Sequence, residues 1–216
     1  MSPRTKEQNE EIRKQRSQEI MRAAIAVYAE KGYAASEIGE IAEKAGLARG
    51  LVYHYFKSKQ SLFRELHDYM MDGTRKFTKS YFEQEGPALE LFAEYARKVC
   101  KQVLEESAIS RFYMRISLDV HYLYTPEEYT PFDWMKSFIE PMKQAVEKGI
   151  GQGSIRQGDA NLMALQFWGA VSQGMSYLDR LQQELISQGM EENDSKDRLN
   201  HVLEQIVESA LAVLRG

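Results

Sequence analysis

The sequence predicts an all-α protein of about nine helices, an N-terminal three-helix helix-turn-helix domain followed by a larger helical domain. Three observations carry this expectation. No stretch alternates apolar and polar residues convincingly over six positions, so no strand is expected. Prolines number only five in 216 residues, and Gly32, Gly46, Gly86-Pro87 and the run from Gly149 to Gly158 punctuate segments of helical periodicity. Residues 36–59, SEIGEIAEKAGLARGLVYHYFKSK, place two short helical patterns on either side of Ala45-Gly46-Leu47.

The helices are expected near 10–31, 37–44, 48–54, 59–81, 87–105, 108–123, 132–149, 159–187 and 194–214. Residues 1–15 are rich in Arg, Lys, Glu and Gln and read as a solvated extension of the first helix. The sharper alternative is a basic arm for a DNA minor groove, with Arg4 and Lys6 as its donors. Ser36 is placed to cap the second helix, whose apolar face is Ile38, Ile41, Ala42 and Ala45. Gly46 stands where a helix end needs a left-handed residue, and Leu47 plugs the corner. In the third helix Leu51 or Val52 faces inward, leaving Arg49, Gly50, Tyr53 and His54 toward solvent. Ser58 caps the fourth helix with Lys59 in its first turn, so N–H groups and ammonium together favour an anion. Cys100, the single cysteine, lies at helical spacing with Val99 and Val103 and reads as a buried structural residue. Asp159 is the expected N-cap of the eighth helix, and the acidic stretch 190–197 is a loop before the ninth.

A helix that presents Arg49, Tyr53, His54 and Tyr55 together suits a DNA groove. Arginine reaches a phosphate or a guanine edge, tyrosine hydroxyls donate to phosphate oxygens, and Gly50 lets the helix backbone come close. A helical hairpin with a charged outer face accounts for Ile38 and Ile41 but not for this cluster. The net charge of −4 argues against such a partner. Its distribution does not: residues 1–60 hold 11 Lys or Arg against 8 Asp or Glu, a net +3, and the rest hold 17 against 24, a net −7. An acidic body repels DNA and turns the basic head toward it.

From Arg16 to Leu66 the chain closely resembles the N-terminal domain of the tetracycline-repressor (TetR) family of bacterial regulators. The resemblance rests on Ile20, Ala23-Ala24, Lys31-Gly32-Tyr33, Ser36, Ile41-Ala42, Ala45-Gly46-Leu47, Val52-Tyr53, Tyr55-Phe56, Lys59 and Leu62. It implies that Arg49, Gly50, Tyr53, His54 and Tyr55 face DNA and that Lys59 and Ser36 meet phosphate. Two departures stand out. Ala48 and Leu51 occupy positions where many members carry hydroxyl residues, and Leu51 is instead suited to a thymine methyl. The expected domains are residues 1–74, with the motif at about 37–56, and residues 75–216.

The second part is unusually aromatic and rich in methionine between Ala88 and Tyr177. Such bulky, adaptable side chains suit an apolar pocket between helices. The resemblance also implies a small-molecule effector that releases DNA. The expected lining is Phe112, Arg115, Tyr122, Trp134, Phe138, Met142, Phe167, Trp168 and Met175, with Arg115 as a cation for an acidic ligand. Surface ion pairing is the plainer reading of Arg111, Arg115 and Asp119. Helices about 159–187 and 194–214 are expected to form a homodimer interface, through Gly169-Ala170, Gly174 and the apolar stripe Leu199, Val202, Leu203, Ile206, Val207, Ala210 and Leu214. Aspartate at Leu203 or Ile206 is expected to give monomers.

Nothing in the sequence points to catalysis, a cofactor or a metal. The four histidines are scattered, and there is no phosphate-binding glycine loop, CxxC pair or serine elbow. No segment approaches the ~20 apolar residues of a membrane span, and no secretory signal opens the chain. The resulting expectation is a cytoplasmic, ligand-responsive repressor that binds a palindromic operator as a dimer. The alternative is a helical small-molecule-binding or scaffold protein with a vestigial DNA-binding head.

Overall fold

The computed structural model describes residues 5–215, Asn9 by its backbone alone. Among them are the helices α1 (Lys6–Ala35), α2 (Ile38–Lys44), α3 (Arg49–Tyr55), α4 (Lys59–Phe82), α5 (Ala88–Glu105), α6 (Ser107–Asp119), α7 (Pro131–Gly151), α8 (Ala160–Ser187) and α9 (Glu192–Ala212). A short 3-10 turn, Val120–Tyr122, follows α6. The described residues contain no strand. They form two compact units, one running to Met70 and including Arg111–Tyr129, the other of Met71–Ser110 with the residues from Thr130 onward. The division after Met70 lies near the expected boundary at residue 74, but Arg111–Tyr129 groups with the N-terminal unit rather than with residues 75–216.

In the N-terminal unit α1 begins earlier than expected. Thr5 accepts from the Gln8 N–H at 3.2 Å, and the Gln8 side chain accepts from the Thr5 N–H at 3.0 Å. This reciprocal cap satisfies two end donors and carries the helix through the polar stretch. Lys6 is therefore the first helical residue, while Arg4 lies outside the described residues. The helix breaks at Gly32, whose φ of 75° belongs to glycine.

Ser36 departs from its expected role. Its hydroxyl donates to the Gly32 carbonyl at 2.7 Å, and its side chain is wholly buried. It closes α1 instead of capping α2, whose N-cap position is Glu37 without a side-chain cap. Beyond α2, Gly46 at φ 66° makes the expected corner. Leu47 N–H reaches the Ala42 carbonyl at 2.9 Å and Gly46 N–H the Glu43 carbonyl at 3.0 Å, the paired bonds that end a helix at a left-handed residue.

Ile20, Tyr28, Ile41, Val52, Phe63 and Leu66 bring α1 to α4 around one core. Val52 is thus the inward residue of α3, and Leu51 is 37% exposed. Ser58 opens α4 by accepting from Ser61 N–H at 3.0 Å.

The segment Arg111–Tyr129 completes this unit. Phe112 packs its edge against Tyr28, centroids 5.1 Å apart. Asp119 Oδ2 accepts from the Tyr28 hydroxyl at 2.9 Å and from Tyr33 N–H at 3.1 Å. The Arg115 guanidinium donates to the Ala29 carbonyl at 3.1 Å, near the end of α1. The Gln60 amide donates to the Tyr122 and Leu123 carbonyls at 3.1 and 3.2 Å. α6 stops at Asp119, short of the expected end near 123, because the chain tightens into the 3-10 turn and sends Leu123 into the core.

In the second unit α5, α7, α8 and α9 enclose Phe92, Tyr95, Phe138, Met142, Phe167 and Val207. Asp159 caps α8 as expected, accepting from Leu162 N–H at 2.7 Å. Cys100 is wholly buried, and burial pushes its thiol up to about 12. Gly174 is where α8 and α9 touch: a Cβ there would lie 2.3 Å from Ile206 Cγ2.

Candidate functional site

The third helix supplies the surface. With Val52 turned inward, the 3.6-residue period turns Arg49, Gly50, Leu51, Tyr53 and His54 outward, and all five are exposed. Tyr55 is half-buried. The Arg49 guanidinium lies 5.7 Å from the Tyr53 ring centroid, one helical turn away. Such a pair keeps a long, flexible cation near the middle of the exposed face. A Cβ at Gly50 would meet nothing within 4 Å, so the folded chain itself does not require glycine there.

Two residues expected to meet phosphate have partners within the chain. Ser36 is buried and its hydroxyl is committed to Gly32, so it is not presented on the surface. Lys59 is half-buried, donates to the Ala34 carbonyl at 3.0 Å and lies 4.5 Å from the Tyr33 ring centroid. Its ammonium satisfies an end carbonyl of α1, although a lysine has three donors and the first turn of α4 stands beside it. Sequence reasoning also passed over Lys57, exposed just after α3. Its signal was present, a lysine two residues beyond the recognition pattern. Two other cations of the unit are paired, Lys31 with Glu40 at 2.7 Å and Lys44 with Glu30 at 3.5 Å.

This corner-and-helix geometry matches known proteins. Residues 20–66 match the family model described as bacterial regulatory proteins, tetR family. Residues 20–66 are thus a helix-turn-helix domain of the TetR family. It is 26% identical over 161 residues to the HTH-type transcriptional regulator YfiR of Bacillus subtilis, 72% of this chain and 74% of that one. It is 47% identical over 51 residues to the fatty acid metabolism regulator protein of B. subtilis, 22% of this chain and 26% of that one. In fold it resembles the transcriptional regulator FadR from B. subtilis, solved in complex with stearoyl-CoA, with a TM-score of 0.62 at 22% identity over 88% of this chain and 97% of that one. The chain is a DNA-binding transcriptional regulator, and α3 occupies the place of the recognition helix in its helix-turn-helix.

The nine expected effector residues are divided between the two units. Phe112, Arg115 and Tyr122 belong to the N-terminal unit, where they hold Tyr28, the Ala29 carbonyl and, by ring stacking at 5.2 Å, Tyr33. Arg115 is therefore engaged with the end of α1. The other six lie in the second unit. There Trp134 stacks on Phe138 at 5.0 Å and 11°, and Phe138 meets Trp168 edge-on at 4.7 Å. Phe138, Met142 and Phe167 are wholly buried, while Trp134, Trp168 and Met175 remain half-buried. An open cleft of about 450 Å³ lies elsewhere in this unit, lined by Lys79, Phe82, Glu140, Pro141 and Lys148 among others. It contains none of the expected effector residues.

The expected interface stripe is also divided. Leu199, Leu203, Val207, Ala210 and Leu214 are buried inside the protomer, whereas Val202 and Ile206 are half-buried. On α8, Leu162 and Leu165 are 53% and 39% exposed, and a Cβ at Gly169 would meet nothing within 4 Å. Among the described residues no helix is long and apolar enough to cross a membrane, and no three His, Cys, Asp or Glu stand together as a metal site.

Proposed function

We propose that this regulator is a cytoplasmic repressor without catalytic activity that binds a near-palindromic operator as a homodimer and is released by a small, largely apolar effector. The observation that carries the DNA reading is the exposed face of α3. Arg49, Gly50, Leu51, Tyr53 and His54 are outward while Val52 anchors the helix from beneath. Tyr55 at the end of the helix and Lys59 and Lys57 beyond it supply backbone contacts in this reading, and Arg49 reads a base.

Dimerisation through α8 and α9 is supported by the open apolar positions Leu162 and Leu165. The Trp134–Phe138–Trp168 stack, with Met142 and Met175, supports an effector site in the second unit. The stearoyl-CoA held by the B. subtilis FadR makes acyl thioesters the first effectors to try.

The helices α4 and α6 each begin in one unit and end in the other. A ligand that shifts either helix can therefore act on the DNA-binding unit. If it prefers the shifted state by ~3 kcal/mol, operator affinity falls on the order of a hundredfold, and ligand affinity falls equally on operator-bound protein.

Selection of random duplexes on the purified protein, followed by sequencing, tests the reading. A palindrome with half-sites about one duplex turn apart is the expected yield. Recovery without sequence preference supports instead a ligand-binding or scaffold protein with a vestigial head.

A further inference from the structure

Among the described residues only two buried side-chain polar atoms lack a hydrogen-bond partner, Arg64 Nε and Trp134 Nε1. Trp134 Nε1 is the one in the second unit, within the aromatic stack. An indole N–H is a donor with no second role, and a native fold rarely leaves one buried and unmet without a reason. The ring itself is not sealed. Trp134 and Trp168 flank the wholly buried Phe138, yet each indole keeps part of its surface open. The Nε1 atom itself is closed to solvent, so a ligand must part its neighbours to meet flat apolar faces and one fixed donor.

Resting on the effector site proposed above, we propose that the effector carries a neutral carbonyl, as in an ester, thioester, amide or lactone, that accepts the Trp134 Nε1 hydrogen while its apolar body packs on the indoles. The charge follows from desolvation. A carboxylate taken out of water needs a cation or several donors to offset its lost hydration, and one uncharged N–H among aromatic rings supplies neither. Arg115, the cation expected for an acidic ligand, belongs to the N-terminal unit and donates to the Ala29 carbonyl. A neutral carbonyl loses far less hydration, and a single good donor restores most of it.

Two probes of one shape isolate the carbonyl, ethyl phenylacetate and ethyl 2-phenylethyl ether, which replaces the carbonyl by a methylene; the smaller phenylacetate anion, without the ethyl group, tests the charge. Trp134 and Trp168 are the only two tryptophans of the chain. Full-length Trp168→Phe therefore reports Trp134 alone, and Trp134→Phe keeps a ring there while removing the donor and leaves Trp168 as reporter. The ester is expected to bind about five- to tenfold more tightly than the ether when Trp134 is present, the worth of one hydrogen bond, and equally in Trp134→Phe. The indole N–H resonance of Trp134 is expected to move downfield with ester and not with ether. An ester preference that survives Trp134→Phe, binding without such a preference, or an anion that binds as well as the ester refutes the carbonyl assignment alone. Failure of all three probes to perturb either indole refutes the effector site and this assignment with it.

Discussion

Gly50→Ala separates what the fold needs from what DNA needs. The residue is second in α3, fully helical, and a Cβ there would meet nothing within 4 Å. In the free protein the change removes glycine's conformational freedom from the unfolded chain and adds a better helix former. The expected gain is about 0.5–1 kcal/mol, nearer the lower figure so close to a helix end. For a chain of this size, 1 kcal/mol raises Tm by about 2–4 °C. On DNA the sign reverses, if the backbone of α3 approaches the groove at this point. A methyl forced into a close-packed contact costs about 1–3 kcal/mol, or roughly five- to more than a hundredfold in affinity. Circular dichroism melts and fluorescence anisotropy on a selected operator at fixed salt measure the two effects separately. A variant that melts higher and binds the operator as tightly as the parent refutes the close approach at Gly50. A variant that melts lower refutes the open environment of the Cβ.

Asp119→Ala leaves the buried Tyr28 hydroxyl and the Tyr33 N–H without their shared acceptor, and urea unfolding is expected to show a loss of about 2–3 kcal/mol, against about 1 for Tyr28→Phe. Equal losses would show that Asp119 matters to Tyr28 alone. His67 is buried beside Tyr129 and Tyr124, and burial holds its ionisation below the ordinary histidine value despite the adjacent Asp68. The unfolded chain therefore takes up this proton first as pH falls, so His67's contribution is complete above about pH 6.5 and declines below it. His67→Gln is expected to flatten the fall in urea midpoint between pH 7.5 and 5.5, and an unchanged slope assigns that fall to other groups. Leu165→Asp, on the open face of α8, is expected to give folded monomers by sedimentation, whereas Leu203→Asp places a charge inside the protomer and is expected to abolish the helical signal at 37 °C. A folded Leu203→Asp monomer would restore the interface role first expected of that residue.

Element positions were legible because their punctuation is local. Gly46 and Asp159 act through bonds to neighbours within five residues, and both behave as their sequence context requires. Ser36 shows the limit of the same logic. A hydroxyl lying between two helix ends can accept from the second or donate to the first, and four residues of context read the same either way. The Gly32 break decided it, by leaving a carbonyl within 2.7 Å. The outward face of α3 was readable up to the choice between Leu51 and Val52, which tertiary burial settled. The grouping of Arg111–Tyr129 with the N-terminal unit was not legible for a different reason. Arg111, Arg115 and Asp119 recur every four residues, a polar stripe that suits a charged pocket, a solvated face or a partner surface alike. Their actual partners, the Ala29 carbonyl and the Tyr28 hydroxyl for the last two, lie some ninety residues away, where no local pattern reaches.

That segment bears on how an effector would act. A hydrogen bond of 2.9 Å is lost when donor and acceptor separate by another ångström, because its energy falls steeply beyond normal contact. An α-helix transmits an axial shift of that size with little loss, since its own bonds are stiffer than a single side-chain contact. α6 begins in the second unit and ends on Asp119, which holds both Tyr28 and the Tyr33 N–H at the point where α1 breaks before the helix-turn-helix. Two such bonds with a buried donor left behind amount to about 2–3 kcal/mol. An effector that breaks them must offset that cost from its own binding energy. On the proposed reading, a shift of α6 relative to α1 by about the reach of one hydrogen bond would break both of these bonds.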